Sequence, residues 1–150
     1  MIHAAIVRPV YARAILSGAK AVEARLTVRK KAPWGRIAPG EWVYFKSTGG
    51  AFVARARVLR VALFKDLTPE GVEELCREYN AQIGAPASFW EHKRSAKFAC
   101  LVWLEGAEPV SAGPDYRAHE SFHPREAWFV LPESFAPGAT TAARPAASAA

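Results

Sequence analysis

Two kinds of hydrophobic pattern along the chain are typical of β-strands: short apolar runs, and segments in which hydrophobic and polar residues alternate with a two-residue period. These patterns predict strands at residues 3–7, 21–26, 42–47, 51–64, 98–105 and 127–131. The linker Thr48-Gly49-Gly50 predicts a hairpin between two of them. Within the long fourth strand the alternation changes phase near Leu59, which predicts a β-bulge.

Two segments have the spacing of amphipathic helices. The first covers residues 10–17 and ends at Gly18, and the second begins at Thr68, whose hydroxyl can cap it, and ends at Gly84. A short third helical piece is predicted around Phe89. The strands follow one another as hairpins rather than alternating with helices. The pattern therefore predicts an α+β, mainly β fold, a small barrel of about five or six strands with two or three flanking helices.

Length and composition predict one domain followed by a tail. The chain has 150 residues, 51% of them hydrophobic, which suits a single domain over residues 1–133. Residues 134–150 are mostly Ala, Pro, Thr, Ser and Gly, and we expect them to be disordered. Because neither a signal-peptide pattern nor an apolar run of about 20 residues is present, we expect a soluble, cytoplasmic protein that does not enter membranes. Cys76 and Cys100 lie in apolar patterns, so we interpret both as core residues.

Charge is distributed very unevenly. Residues 1–65 contain 13 Lys and Arg against 2 Asp and Glu, whereas residues 66–150 contain 7 against 12. Such crowding is unfavourable by self-repulsion unless a negative partner is present, and polyphosphates are the commonest partners of this kind. Nucleic acid is the first hypothesis, and an acidic protein is an alternative.

The run Gly18-Ala-Lys20-Ala-Val-Glu23-Ala-Arg25 concentrates charge beside the first helix. Alternation in a strand places Glu23 and Arg25 on the same face. Lys20 can bind phosphate, or act as a base or nucleophile if its pKa is lowered. Glu23 can act as a general base or accept hydrogen bonds from an exocyclic amine. A structural salt bridge between Glu23 and Lys20 or Arg25 is the competing interpretation.

This G-x-K-x-x-E-x-R motif, the Pro39-Gly40 turn, the strand beginning at Trp42 and its hairpin partner at residues 53–58 together resemble the ASCH domain family over residues 3–131. The resemblance implies a PUA-like β-barrel whose cleft is lined by the motif, and a role directed at nucleic acids or nucleotides. Small members that deacetylate an acetylated cytidine carry a Lys at the place of Lys20 and a Thr where this chain has Glu23.

A wider set of cationic and aromatic residues is predicted to contact nucleic acid. Cations neutralise backbone phosphates, and a Trp offers a face on which a base stacks. The alternatives are that Trp34 folds back over the barrel, that Tyr44 only packs, and that the strand arginines are simply solvated. The predicted binding residues are Lys20, Arg25, Arg29, Lys30, Lys31, Trp34, Arg36, Tyr44, Lys46, Ser47, Arg55 and Arg57.

We therefore predict a protein that binds RNA or DNA in a basic cleft. The alternative is a metal-independent hydrolase, an acetylcytidine amidohydrolase or a ribonuclease, with Lys20 as base or nucleophile and a carboxylate such as Glu23 or Glu74 assisting. His119 and His123 have i, i+4 spacing, but the sequence offers no third ligand nearby, so we expect no metal and no cofactor. They are read, with Arg125, as a polar loop bordering the cleft. The sequence leaves the oligomeric state open.

Overall fold

The computed structural model describes residues 1–138, which form six strands, three α-helices and two short 3₁₀ turns. The strands are β1 (Ile2–Val7), β2 (Val22–Thr27), β3 (Trp42–Ser47), β4 (Phe52–Phe64), β5 (Phe98–Pro109) and β6 (Trp128–Leu131). The helices are α1 (Pro9–Ser17), α2 (Pro69–Ile83) and α3 (Ala87–His92), and the 3₁₀ turns are Tyr116–Ala118 and Glu133–Phe135.

All six strands belong to one curled, half-barrel sheet with the order β2-β5-β4-β3-β1-β6. Strands β1 and β3 run parallel, and the other neighbours are antiparallel. The expected α+β, mainly β architecture is confirmed. The parallel pair was not predicted, because a hairpin pattern carries no information about strands that meet far apart in sequence.

Buried apolar residues of the described chain form three clusters. The first cluster lies on the inner face of the sheet and includes Phe45, Val102 and Ile15 of α1. The second packs α2 and α3 against the outer face of β2 and β5. The third covers the outer face of β1, β3 and β6, where Tyr116 contributes from its 3₁₀ turn. Both faces of the sheet are therefore partly covered.

The local signals in the sequence correspond closely to the observed elements. The Thr68 hydroxyl accepts a hydrogen bond of 3.1 Å from the Gly71 amide at the start of α2. Gly18 and Gly84 end their helices with φ of 84° and 73°, the left-handed region that glycine adopts without strain. The register of β4 against β5 shifts between Val58 and Arg60, which confirms the predicted bulge.

The C-terminal end of the described chain is more structured than its composition indicates. Ser134 falls in the 3₁₀ turn Glu133–Phe135, and Phe135 packs against the third cluster. Residues 139–150 of the predicted tail lie outside the described residues. No helix within residues 1–138 has the length and apolar character needed to cross a membrane.

Candidate functional site

A cleft of about 570 Å³ opens between β2 and the strand pair β1 and β6, which lie toward opposite ends of the sheet. The loop after β2, the start of α1, and the segment from the end of α2 through α3 form its other walls. Its volume lies within the range of small-molecule sites. The cleft thus lies where the curled sheet does not close on itself by strand pairing.

Glu23 and Arg25 form the floor of this cleft. They lie opposite Val102 and Cys100 of β5, which places both side chains on the inner face, as the alternation predicts. The Arg25 Nε and one terminal nitrogen donate to Glu23 Oε2 at 3.0 and 2.8 Å. The guanidinium also donates to the carbonyl oxygens of Ile6 at 3.1 Å and Ala127 at 3.4 Å. Arg25 therefore joins β2 to both β1 and the start of β6.

Lys20 is almost fully buried, with 5% of its surface exposed. Its ammonium donates to the carbonyl oxygen of Ile83 at 2.6 Å and lies 3.4 Å from Glu23 Oε1. Burial lowers the pKa of Lys20, although the Glu23 carboxylate opposes this change. Because an ammonium has three N–H groups, one remains for the cleft. The predicted salt bridge between Lys20 and Glu23 is therefore present, and Lys20 also binds the last carbonyl of α2.

Positive charge predominates among the groups that line the cleft. Six cationic side chains face two carboxylates, Glu23 and Glu126. The cations are Arg8, Lys20, Arg25, Lys31, Lys93 and Arg125. Burial, and then the neighbouring cations Arg25 and Lys31, lower the pKa of Lys93. An anionic ligand would relieve this repulsion.

Three aromatic rings add apolar surface to the same walls. Tyr11 lies 5.3 Å from the Lys20 ammonium, and Trp128 lies 5.0 Å from the Arg25 guanidinium, distances typical of cation–π contacts. Phe89 of α3 also lines the cleft, 5.9 Å from the Lys93 ammonium. The cleft therefore combines hydrogen-bond donors with aromatic side chains, of which Tyr11 and Phe89 are half-buried and Trp128 is buried.

A buried histidine fixes the orientation of Trp128. His3 is fully buried, and its Nδ1 accepts a hydrogen bond of 3.0 Å from the Trp128 indole N–H. The proton of the ring must then lie on Nε2, which donates to Glu41 Oε1 at 2.8 Å. Burial lowers the pKa of His3. A neutral imidazole thus holds one wall of the cleft in place.

Most of the predicted basic loop lies away from the cleft. Lys31 lines it and pairs with Glu126 at 3.3 Å. Trp34 instead donates its indole N–H to the carbonyl oxygen of Phe64 at 2.9 Å and packs against the first cluster. This is the alternative in which Trp34 folds back over the barrel, because its ring packs against the core. The other three cations of this loop are exposed and do not line the cleft: Arg29, Lys30 and Arg36.

The strand residues predicted for the site form a separate group on the outer face of the sheet. Arg55 and Arg57 lie 4.0 and 4.3 Å from the Trp42 ring, and Arg55 also pairs with Glu108. Tyr44 is buried in the third cluster and accepts a hydrogen bond from Arg55. Alternation placed these arginines on one face correctly, but that face is opposite to the one carrying Glu23. Lys46 and Ser47 do not line the cleft either, although Thr48 next to them does.

Several cleft residues were not identified from the sequence. Tyr11 lies in α1, Trp128 lies in β6 and Lys93 directly follows α3, so the three residues are remote from one another along the chain. Of the predicted polar loop, Arg125 lines the cleft, whereas His119 and His123 do not. Within residues 1–138, no three His, Cys, Asp or Glu side chains come together as a metal site.

Solved structures of ASCH proteins have the same fold as this chain. The structure of ASCH from Zymomonas mobilis matches with a TM-score of 0.65 and 18% identity, covering 88% of each chain. A tyrosine-to-phenylalanine variant of ZmASCH matches at 0.67 and 16% identity over 95% of this chain and 96% of its own. A serine-to-alanine variant of ZmASCH matches with a TM-score of 0.67 and 18% identity, covering 96% of this chain and 94% of its own. No family model matches the sequence, and no curated protein matches it. The protein has an ASCH-like fold.

Proposed function

We propose that this protein binds nucleic acid and that the cleft receives one nucleotide of the strand. The observation that carries the proposal is the composition of the cleft walls, which combine six cationic side chains with three aromatic rings. Cations attract the phosphate backbone, and aromatic faces stack with bases. The fold shared with ASCH proteins is consistent with this role but does not by itself assign it.

The dimensions of the cleft favour a single-stranded or unpaired nucleotide. A volume of about 570 Å³ is that of a small-molecule pocket rather than a groove for a duplex. A base enters such a pocket only when it is out of its helical stack. Arg8 and Arg125 lie at exposed positions on the rim, where they can contact neighbouring phosphates.

Salt dependence of binding tests this proposal. For roughly 5 phosphate contacts, the logarithm of the association constant should fall with the logarithm of salt concentration with a slope of about −3.5 for single strands. We expect the double variant Arg8→Ala with Arg125→Ala to bind a labelled single-stranded oligonucleotide more weakly and with a slope smaller in magnitude by about 1.4, which is about 0.7 for each lost contact. Fluorescence anisotropy at several salt concentrations measures both quantities.

The matched control is the double variant Arg77→Ala with Arg94→Ala, which removes two exposed arginines near α2 and α3 that do not line the cleft. It should bind like the unmodified protein. A flat salt response, or equal losses in the two double variants, would contradict the proposal.

One observation favours a second candidate, a hydrolase of acylated nucleobases or of RNA. The buried Lys20, with its lowered pKa, lies beside Glu23 in the cleft, and a lysine in such surroundings can act as a base. In amide hydrolysis, neutral Lys20 would take a proton from the attacking water and pass it to the leaving amine. The carbon–nitrogen bond breaks and the acid is released. Glu74, the other carboxylate considered, does not line the cleft.

Turnover assays distinguish the two candidates. Acetate release from acetylcytidine and cleavage of a labelled RNA are measured for the unmodified protein and for Lys20→Ala. A binding module shows no turnover in either form and binds more weakly as Lys20→Ala. A hydrolase shows turnover that disappears in Lys20→Ala while the affinity for the oligonucleotide is retained.

A further inference from the structure

Three cations from different parts of the chain line one region of the cleft. Arg25 belongs to β2, Lys31 to the loop that follows it, and Lys93 directly follows α3. The positive charges of Arg25 and Lys31 both act on the Lys93 ammonium and lower its pKa further than burial alone does. Like charges that line one cleft repel one another, so the presence of all three there calls for a physical reason.

The protein neutralises two of these cations but not the third. Arg25 is paired with Glu23 at 2.8 Å, and Lys31 is paired with Glu126 at 3.3 Å. Within residues 1–138, the Lys93 ammonium has neither a carboxylate within 4.0 Å nor a hydrogen-bond acceptor. Its side chain is half-buried beside Phe89. Burial of an ammonium is unfavourable unless it is paired, so an anion from outside would stabilise this side chain.

The polar groups in this region are mainly donors. The guanidinium and the two ammonium groups can only donate hydrogen bonds, and both nearby carboxylates already accept from Arg25 or pair with Lys31. The three cations outnumber these two carboxylates, so a cationic ligand is disfavoured here. A phosphate group, with several acceptor oxygens and negative charge, is complementary to this arrangement.

We propose that Arg25, Lys31 and Lys93 form a phosphate subsite within the cleft, which binds one phosphate group of a nucleotide beside the aromatic surface of Phe89 and Trp128. This inference rests on the proposed function, because it assigns the place of a phosphate in the same ligand. A terminal phosphate and an internal phosphodiester share this chemistry, and both are included in the test.

Calorimetric titration with cytidine and with cytidine 5′-monophosphate isolates the contribution of the phosphate. We expect the monophosphate to bind about tenfold more tightly than the nucleoside, because its phosphate accepts charge-assisted hydrogen bonds from the three cations. In Lys93→Ala and Lys93→Met this preference should fall to about twofold or less, with cytidine affinity unchanged. Lys93→Met keeps an unbranched side chain beside Phe89 and thereby controls for lost packing.

The matched control is Lys65→Ala, because Lys65 is exposed and does not line the cleft. It should retain the full preference for the monophosphate. Equal binding of the two ligands, no binding of either, or a preference that survives both Lys93 variants would overturn the subsite.

Oligonucleotides separate the two sources of the phosphate. A strand with a 5′-phosphate and the same strand with a 5′-hydroxyl are compared in the unmodified protein and in Lys93→Ala. Tighter binding of the phosphorylated strand that depends on Lys93 identifies a terminal phosphate, and equal binding that weakens in Lys93→Ala identifies an internal one. Binding of both strands without any effect of Lys93→Ala refutes the subsite and leaves the proposed function standing. A preference for the monophosphate without binding of either strand supports the subsite and refutes the proposed function.

Discussion

Glu23 holds two cations with the two oxygens of one buried carboxylate. Oε1 faces the Lys20 ammonium at 3.4 Å, and Oε2 accepts two hydrogen bonds from Arg25. Only 6% of Glu23 is exposed, so solvent screens these charges weakly. The three charges of the motif therefore depend on one another, and removal of Glu23 leaves the buried Lys20 and the half-buried Arg25 without a carboxylate partner.

Replacement of Glu23 tests this dependence. We expect Glu23→Gln to lower the free energy of unfolding by about 3 kcal/mol, because breaking a buried ion pair leaves an uncompensated charge. The same change at Glu108, which pairs with Arg55 at a largely solvent-accessible position, should lower it by less than about 1 kcal/mol. Urea unfolding of both variants measures the difference. Similar losses at the two positions would show that the buried carboxylate has no special role.

Two of the motif side chains connect elements that the backbone leaves separate. Strands β2 and β6 are the two ends of the hydrogen-bonded sheet, and Arg25 joins them through the carbonyl oxygens of Ile6 and Ala127. Lys20 binds the carbonyl of Ile83, where the negative end of the α2 dipole favours a cation. The motif therefore connects secondary-structure elements as well as lining the cleft.

Loss of the Arg25 connection should loosen the edge of the sheet. We expect amide hydrogens of β6 to exchange about tenfold faster in Arg25→Ala, which corresponds to loss of roughly one hydrogen bond's net stabilisation. Hydrogen exchange followed by mass spectrometry or NMR resolves the elements. Amides of α2 serve as an internal reference, and Arg57→Ala, on the outer face of the sheet, is the matched variant. Unchanged exchange in β6 would mean that strand pairing with β1 alone holds this edge.

For the whole molecule, the buried polar chain through His3 makes stability depend on pH. His3 on β1 forms hydrogen bonds to Trp128 on β6 and to Glu41, which precedes β3. Its imidazole therefore links three parts of the fold. Burial raises the pKa of Glu41, but hydrogen bonds from His3 and from the Ala38 amide outweigh it and leave the pKa below 4.5. The pKa of His3 is below its usual 6.5 in the folded protein. The unfolded chain therefore takes up protons first as the pH falls.

We expect the free energy of unfolding to decrease as the pH falls below 6.5, until the folded pKa of His3 is reached. The change is at most about 1.4 kcal/mol per pH unit from this one group. Because the pKa of Glu41 is also lowered in the folded protein, its protonation decreases the free energy of unfolding further as the pH falls below 4.5. Urea unfolding at a series of pH values gives the slope, which should become shallower in His3→Gln and remain in His119→Gln. If the slope is unchanged in His3→Gln, the pH dependence of stability comes from other groups.

Much of the fold was predictable because its signals are local. The cap at Thr68, the terminating glycines of α1 and α2, and the phase change near Leu59 all act within a few residues. The placement of Glu23 and Arg25 on one face follows from strand alternation alone. Such features need no knowledge of how distant segments meet.

The grouping of side chains into one site was less predictable. Alternation indicates which residues share a face but not which face borders the cleft. It therefore could not predict that Arg55 and Arg57 lie on the outer face, beside Trp42. The charge pattern of residues 29–36 predicts one binding loop, whereas in the fold Lys31 lines the cleft and Trp34 packs against the first cluster. Lys93 carries no signal in the sequence beyond its charge.

Contiguous residues specify most of the elements, their ends and the neighbouring charges of the motif, because hydrophobic period, capping and alternation are local properties. Three relations arise only when the chain folds: β1 and β3 run parallel, Arg25 joins the two ends of the sheet, and Lys93 lines the same cleft as Arg25 and Lys31. These relations depend on the curvature of the sheet, which brings together residues that are far apart in the chain. Local conformational preferences do not specify such contacts.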